Sequence, residues 1–238
     1  MSSRERDEIA RIRRAYARRT RTYSALEPWV CMMKQERERA LVRWARQVMG
    51  GDLSNVRIVE LGCGTGSNLL DFIRLGVRPE NMVGNDLLEP RIAAARQLLP
   101  GSVCLISGDA AQLQLQPASF DVVFQSMMCS SILDDRHLQS VADLMWRLVR
   151  PGGGILWYDF IYNNPWNTDV RGIPLSLLRS MFPEPPQHCW RVTLAPPLSR
   201  VVSRIHPFGY TLLNVFPFLR THVLCWIPKA ADGATHGG

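Results

Sequence analysis

The run Glu60-Leu61-Gly62-Cys63-Gly64-Thr65-Gly66 sets three glycines at alternate positions behind a carboxylate, just where an apolar stretch ends. Glycines so placed let a backbone turn sharply out of a strand into a helix and pass within contact of a ligand. The spacing G-x-G-x-G differs from the G-x-G-x-x-G that holds a pyrophosphate, and no Gly-Lys-Ser/Thr follows to cradle a triphosphate. Glu60 suits a cationic or hydroxyl-bearing ligand better than a phosphate, and a tight turn with no ligand is the alternative at this point. Asp86 ends the next apolar run, twenty positions past Gly66, where a carboxylate can accept both hydroxyls of a ribose. Asp109-Ala110 closes the third run, and Phe120-Asp121-Val122-Val123 opens the fourth.

These residues need a scaffold that brings strand ends to one edge, and the hydrophobic pattern supplies it. Strands are expected at 57–61, 81–86, 103–107, 120–125 and 155–160, separated by helices at 68–75, 90–99 and 136–149, the last stopped by Pro151-Gly152-Gly153-Gly154. Such alternation is the signature of a parallel α/β sheet. Ahead of it, Ile9, Ile12 and Tyr16 recur at helical spacing, a turn falls near Glu27-Pro28, and residues 32–49 form a second amphipathic run. The expected division is therefore an N-terminal helical lid over 1–50 and a body over 51–238. Beyond residue 160, prolines cut the chain into short helices around two last strands at 189–194 and 221–227. Between them, near 196–219, lies an apolar insertion that could wall an acceptor pocket, rest on a membrane surface, or pack into the core.

Composition narrows the classes. With 238 residues, 46% hydrophobic and 21% charged, the chain fits one globular domain and excludes a disordered or collagenous one. Residues 1–50 hold 13 Lys and Arg against 6 Asp and Glu, whereas the rest holds 15 of each, so the whole +7 excess lies in the N-terminal fifth. A neutral body is not built like a nucleic-acid binder. Six cysteines lie scattered with no C-x-x-C pair, and Met1-Ser2-Ser3-Arg4 lacks the apolar core of a secretory signal. The expectation is reduced thiols in a cytoplasmic protein, with no zinc site or other metal.

Taken together, the glycine loop, Asp86, Asp109, the Phe-Asp-Val-Val strand and the Arg-Pro-Gly-Gly turn resemble the class I S-adenosylmethionine-dependent methyltransferases, in particular the ubiquinone- and menaquinone-biosynthesis-like group, over residues 55–160. The resemblance implies a Rossmann-like, seven-stranded, mostly parallel sheet with helices on both faces, and S-adenosyl-L-methionine as cofactor. Gly62, Gly64 and Gly66 would pack the loop against the methionine half, with Glu60 orienting the loop or facing the amino group. Asp86 would hold the ribose hydroxyls and Leu87 would cover the adenine; Asp109 would accept from the adenine amino group while Ala110 donates its backbone amide. Gln125 would turn its carbonyl to the methionine amine, and Cys63 reads as a small packing residue. Relatives often carry histidines just past the fourth strand, where this chain has Ser130-Ser131.

Methyl transfer from a sulfonium is an in-line displacement, so positioning supplies most of the barrier reduction. A hydroxyl acceptor also needs a base. Asp159 closes the fifth strand at the ligand edge and is the first candidate, with His188, His206 and His222 as alternatives. Tyr16, Tyr23, Ser130 and Tyr158 are candidate substrate contacts, and the N-terminal arginines suit an anionic acceptor. The leading reading is a small-molecule methyltransferase in biosynthesis, O-directed, acting on a natural product, sugar or lipid-linked intermediate without a stable nucleic-acid partner. A nucleic-acid methyltransferase clamping phosphates with its basic helices, N- or C-directed methylation, and a cofactor-sensing module without activity are the alternatives.

Overall fold

A computed structural model describes residues 3–18 and 24–231. Seven strands form one sheet: β1 (Ile58–Leu61), β2 (Met82–Asp86), β3 (Cys104–Ser107), β4 (Phe120–Ser126), β5 (Val149–Phe160), β6 (His188–Leu194) and β7 (Arg220–Pro228). Their order across the sheet is β3-β2-β1-β4-β5-β7-β6. Strands β1 to β5 run parallel, and β7 lies antiparallel between β5 and β6. The crossovers place the loops after β1, β2, β3, β4 and β5 along a single carboxyl edge, where open α/β sheets bind ligands.

Helices α1 (Ser3–Ala17), α2 (Pro28–Val48), α3 (Ser67–Arg74), α4 (Glu89–Leu98), α5 (Asp135–Leu148), α6 (Leu175–Met181), α7 (Pro196–Ile205) and α8 (Pro207–Leu213) complete the fold. On one face, Val59, Val123, Ile155 and Trp157 pack with Leu138, Val141 and Met145 of α5. On the other, Ile58, Val122, Phe124 and Leu156 pack with apolar residues of α2, α3 and α4. Two departures from the sequence reading are local. Proline is favoured at a first helical position, so α2 begins at Pro28, one turn earlier than its apolar run. Strand β5 starts at Val149 directly after α5, and takes up Pro151-Gly152-Gly153-Gly154 through a register shift against β4.

The division at residue 50 is corrected by packing. Leu41 and Trp44 of α2 are fully buried, and the Trp44 ring meets Phe72 at 6.2 Å and Trp226 at 5.7 Å. Helix α2 therefore belongs to the body, and only α1 lies across the carboxyl edge. Burying side chains of this size stabilises by about 1.5–3 kcal/mol each. Deleting residues 1–23 is accordingly expected to leave a cooperatively melting protein whose turnover is lost, whereas deletion through residue 50 leaves no cooperative transition in a thermal melt.

The expectation of thiols throughout is corrected as well. The antiparallel pairing of β6 with β7 sets Cys189 directly opposite Cys225 with Cα atoms 4.2 Å apart, and the two form a disulfide. Cys31, Cys63, Cys104 and Cys129 are free.

Candidate active site

Strand β1 leads straight into the glycine loop. Gly62 has φ +75°, and a Cβ there would lie 2.6 Å from the Met128 side chain; Gly66 has φ +85°, and a Cβ there would lie 2.7 Å from Leu99. Both positions thus combine left-handed backbone with close contact, which only glycine tolerates. Cys63 is buried and its Sγ lies against Gly84, where a Cβ would come within 3.0 Å of it. Burial pushes its thiol well above the ordinary range, in keeping with a packing role.

The loop is tied to its neighbours by backbone bonds. The Cys63 amide donates to the Asn85 carbonyl at 2.8 Å, and the Gly64 and Leu88 amides each donate to one oxygen of Asp86 at 2.9 Å. Asn85 in turn donates to the carbonyls of Ile106 and Gly108. Asp109 accepts from Ala111 at 3.1 Å as the cap of the 3₁₀ turn that begins at Ala110, and lies 3.4 Å from His137. Leu87 packs beside these residues against the α5-side core. The structure thus brings Glu60, Gly62, Cys63, Gly64, Gly66, Asp86, Leu87, Asp109 and Ala110 to one stretch of the carboxyl edge.

Three buried acceptors there have no partner: Oε2 of Glu60, Oδ1 of Asn68 and Oδ2 of Asp109. Unpaired buried acceptors call for donors. Glu60 is fully buried beside the start of α3, bonded to Asn68 at 2.5 Å, and burial pushes its carboxyl up to about 8. A ligand with an ammonium at one end and an aromatic amine at the other matches these acceptors, and S-adenosylmethionine carries both. The residues present therefore fit that cofactor. Asp86→Ala removes the acceptor at the end of β2 and frees the Gly64 amide, and is expected to weaken S-adenosylhomocysteine binding by about 1–3 kcal/mol in titration calorimetry.

The β4 and β5 ends differ from expectation in detail. Gln125 is fully buried, and its carbonyl accepts from the Met128 and Cys129 amides at 3.2 and 3.4 Å. The carbonyl that the resemblance turns to the methionine amine thus also shapes the turn after β4. Asp159 is also fully buried, accepting from the Ser130 amide at 3.1 Å and the Phe160 amide at 2.9 Å. Burial pushes its carboxyl up to about 7, against hydrogen bonds from Ser130, Phe160 and Gln125.

Other candidates lie elsewhere. Strand alternation turns Tyr158 to the face opposite Asp159, where its hydroxyl meets Thr193 Oγ1 at 2.7 Å and its ring stacks on His222. It is a core residue, not a surface for substrate. His188 begins β6 level with Trp226, in mid-sheet and two strands from β5, and stacks on Trp190. His206 is exposed at the junction of α7 and α8, where its Nδ1 accepts from the Phe208 amide. His188 does not reach the carboxyl edge. His222 is buried on β7, and burial lowers it to about 4, so it is neutral near pH 7. Tyr23 lies outside the described residues.

Helix α1 contributes contacts that were not legible in its arginine-rich sequence. Glu8 accepts from the Leu133 amide at 2.6 Å and from Arg11, and Arg11 donates to the carbonyl of Ser131 at 2.5 Å. The Tyr16 hydroxyl lies 3.2 Å from Ser131 Oγ, and its ring lies 4.4 Å beneath the guanidinium of Arg91, itself 3.7 Å from Asp86. Arg91 thus links α1 to the carboxylate that ends β2. Its only sequence signal is its place in the first turn of α4, five residues past Asp86.

Residues 58–153 match the family described as a methyltransferase domain. That segment runs from β1 into β5 and holds the glycine loop, Asp86 and Asp109, so the acceptor set at the carboxyl edge lies within a methyltransferase domain. A comparison with curated proteins finds no match. Among solved structures, the chain is similar to 1,6-didemethyltoxoflavin-N1-methyltransferase of Burkholderia thailandensis, bound to 1,6-didemethyltoxoflavin and S-adenosylhomocysteine (TM-score 0.64, 16% identity, covering 97% of this chain and 91% of that one). It is also similar to the magnesium protoporphyrin IX methyltransferase of Synechocystis with bound S-adenosylhomocysteine (TM-score 0.60, 15% identity, 95% of each chain). A third similar structure is the [4+2]-cyclase SpnF (TM-score 0.61, 15% identity, 83% of each chain). At these identities the likeness is one of fold.

Proposed function

We propose that this enzyme methylates a small-molecule acceptor at a hydroxyl, with Asp159 as the proton acceptor and α1 as the lid over the reacting groups. The observation that carries the reading is the Asp159 carboxyl itself, buried at the end of β5 and bonded to the Ser130 amide, with the Ser130 side chain beside it and its hydroxyl 3.4 Å from the Met127 carbonyl. When bound, S-adenosylmethionine supplies an electrophilic methyl group. Glu60 and Asp109 would hold the two ends of the cofactor, and the Asp86 carboxylate would orient its ribose. Ser130 receives the acceptor's hydroxyl proton and passes its own to Asp159, leaving the acceptor oxygen as the nucleophile. Tyr16, Arg11 and Glu8 hold α1 against the turn after β4, which keeps water from that oxygen.

Small heterocyclic and macrocyclic acceptors named for the similar structures support a small molecule over a nucleic acid. So does the engagement of Arg11 and Arg18 with Glu8 and Asp169, which leaves those arginines serving α1 itself. Natural products, sugars and lipid-linked intermediates with a free hydroxyl are the classes to screen. The test is a panel of such acceptors incubated with S-adenosylmethionine, with product mass and S-adenosylhomocysteine release as readouts. Addition of 14 Da at oxygen is expected; methylation confined to nitrogen or carbon, or conversion of the acceptor with no release of S-adenosylhomocysteine, would overturn the reading.

A further inference from the structure

The β6–β7 insertion is turned inside out for a soluble surface. In α7 the residues facing inward are Ser199 and Ser203, both buried, while Leu198, Val201 and Ile205 form a stripe at i, i+3 and i+7 that faces outward, Ile205 being 80% exposed. Phe208 and Leu212 continue the stripe on α8, and Phe218 follows at 71% exposure. Eight of the fourteen exposed large hydrophobic side chains among the described residues lie between 198 and 218. Concentration on this scale marks an interaction surface. The surface is firmly mounted: Tyr210 is fully buried and donates to Glu36 at 2.5 Å, and Asn214 donates to the other oxygen of Glu36 at 2.8 Å.

Charge decides what the surface meets. Within the insertion, from Leu194 to Arg220, the chain has no Asp or Glu, whereas Arg200, Arg204 and Arg220 fall there. A second copy docked through the same patch would set the arginines of the insertion against themselves. An anionic lipid surface takes the apolar side chains into its acyl boundary and the arginines among its headgroups. Among the described residues no helix is long and apolar enough to cross a membrane, so the contact is peripheral. The insertion leaves the sheet after Leu194 and returns at Arg220, two residues that pair at the same carboxyl edge that carries Asp159. We infer that the α7–α8 face seats this enzyme on an anionic membrane, with the mouth of its active site beside the lipid. This goes beyond the reaction proposed above and stands without it.

The experiment is co-sedimentation of the full chain with vesicles of phosphatidylcholine alone and of phosphatidylcholine mixed with phosphatidylglycerol. Binding to the anionic vesicles is expected to exceed binding to the neutral ones by at least about tenfold and to fall in molar salt. The double variant Ile205→Glu/Phe218→Glu is expected to lower that binding by at least about tenfold while keeping the wild-type melting temperature and affinity for S-adenosylhomocysteine. Arg204→Gln, which leaves the apolar stripe whole, is expected to lower it by a smaller factor. Wild-type protein that stays in solution with both vesicle types overturns the inference. So does a double variant that sediments as wild type does. Light scattering that finds a dimer dissociated by the double variant, with no vesicle binding, assigns the face to a second copy instead.

Discussion

Glu60→Gln is expected to weaken S-adenosylhomocysteine binding by about ten- to a hundredfold without lowering the melting temperature. The carboxyl is fully buried and pushed up to about 8, so the ligand-free protein at pH 7 holds it protonated, a state that glutamine copies in shape and charge. Pairing with an ammonium requires the carboxylate, and a hydrogen bond to a charged partner contributes about 1.5–3 kcal/mol that glutamine supplies only in part. Two further readouts follow from the sign of the shift. Wild-type binding at pH 7 is expected to release a proton, seen as a calorimetric enthalpy that changes with the ionisation enthalpy of the buffer, and the variant to release none. Because the folded pKa lies above the unfolded one, the folded state binds the extra proton between about pH 4 and pH 8, and the stability this contributes declines as pH rises through that window. The wild type should thus melt at lower temperature at pH 8.5 than at pH 6, with a smaller fall in Glu60→Gln. A variant that binds as tightly as wild type would remove Glu60 from the cofactor site.

Asp159→Asn is expected to cut turnover by roughly 10²–10⁴ on a hydroxyl acceptor. Wild-type kcat/KM should rise with pH and level off above about 7, where the carboxyl is ionised, and the variant should lose that rise. The two carboxylate oxygens each accept from a backbone amide, so asparagine turns its own N–H groups toward one of those donors and displaces the turn that carries Ser130. Ser130→Ala separates the two effects, since it keeps the backbone bond and removes only the hydroxyl. If Asp159 receives the proton through Ser130, both variants lose rate and the alkaline rise together while cofactor affinity holds. A full rate with the original pH profile in Ser130→Ala, beside a slow Asp159→Asn, would make Asp159 a positioning residue for the turn.

Strands β1 to β3 were legible because each is a short run closed by glycine or a carboxylate, and those closing residues are the same ones that line the edge. The two terminal helices were not distinguishable by the same signal. Arginines alternate with apolar residues in both, yet Trp44 goes into the core while Glu8, Arg11 and Tyr16 reach across the edge to Arg91 and to the turn after β4. Periodicity reports that a helix has an apolar face and is silent on what covers it. Strand direction was hidden for a related reason. His188 and Asp159 both flank strands, but β7 returns antiparallel, and which end of β6 meets the carboxyl edge follows from pairing, which also brings Cys189 to Cys225. The bonds of the Gln125 carbonyl to the turn after β4 had no signal in the sequence, because they depend on how that turn folds back.

The β6–β7 insertion closes at its own base, where the Ala195 amide donates to the Leu219 carbonyl at 2.9 Å above a ladder stapled by Cys189–Cys225. Such a cassette can be lengthened, shortened or exchanged among descendants while β1 to β5 and the glycine loop stay as they are. One residue outside it is bound to its fate. Glu36 on α2 spends both carboxylate oxygens on Tyr210 and Asn214, so a chain that replaces the cassette inherits a buried carboxylate with nothing to bond. Position 36 and the β6–β7 insertion are therefore expected to change as a unit, and a grafted insertion that melts poorly should be rescued by an apolar residue at position 36.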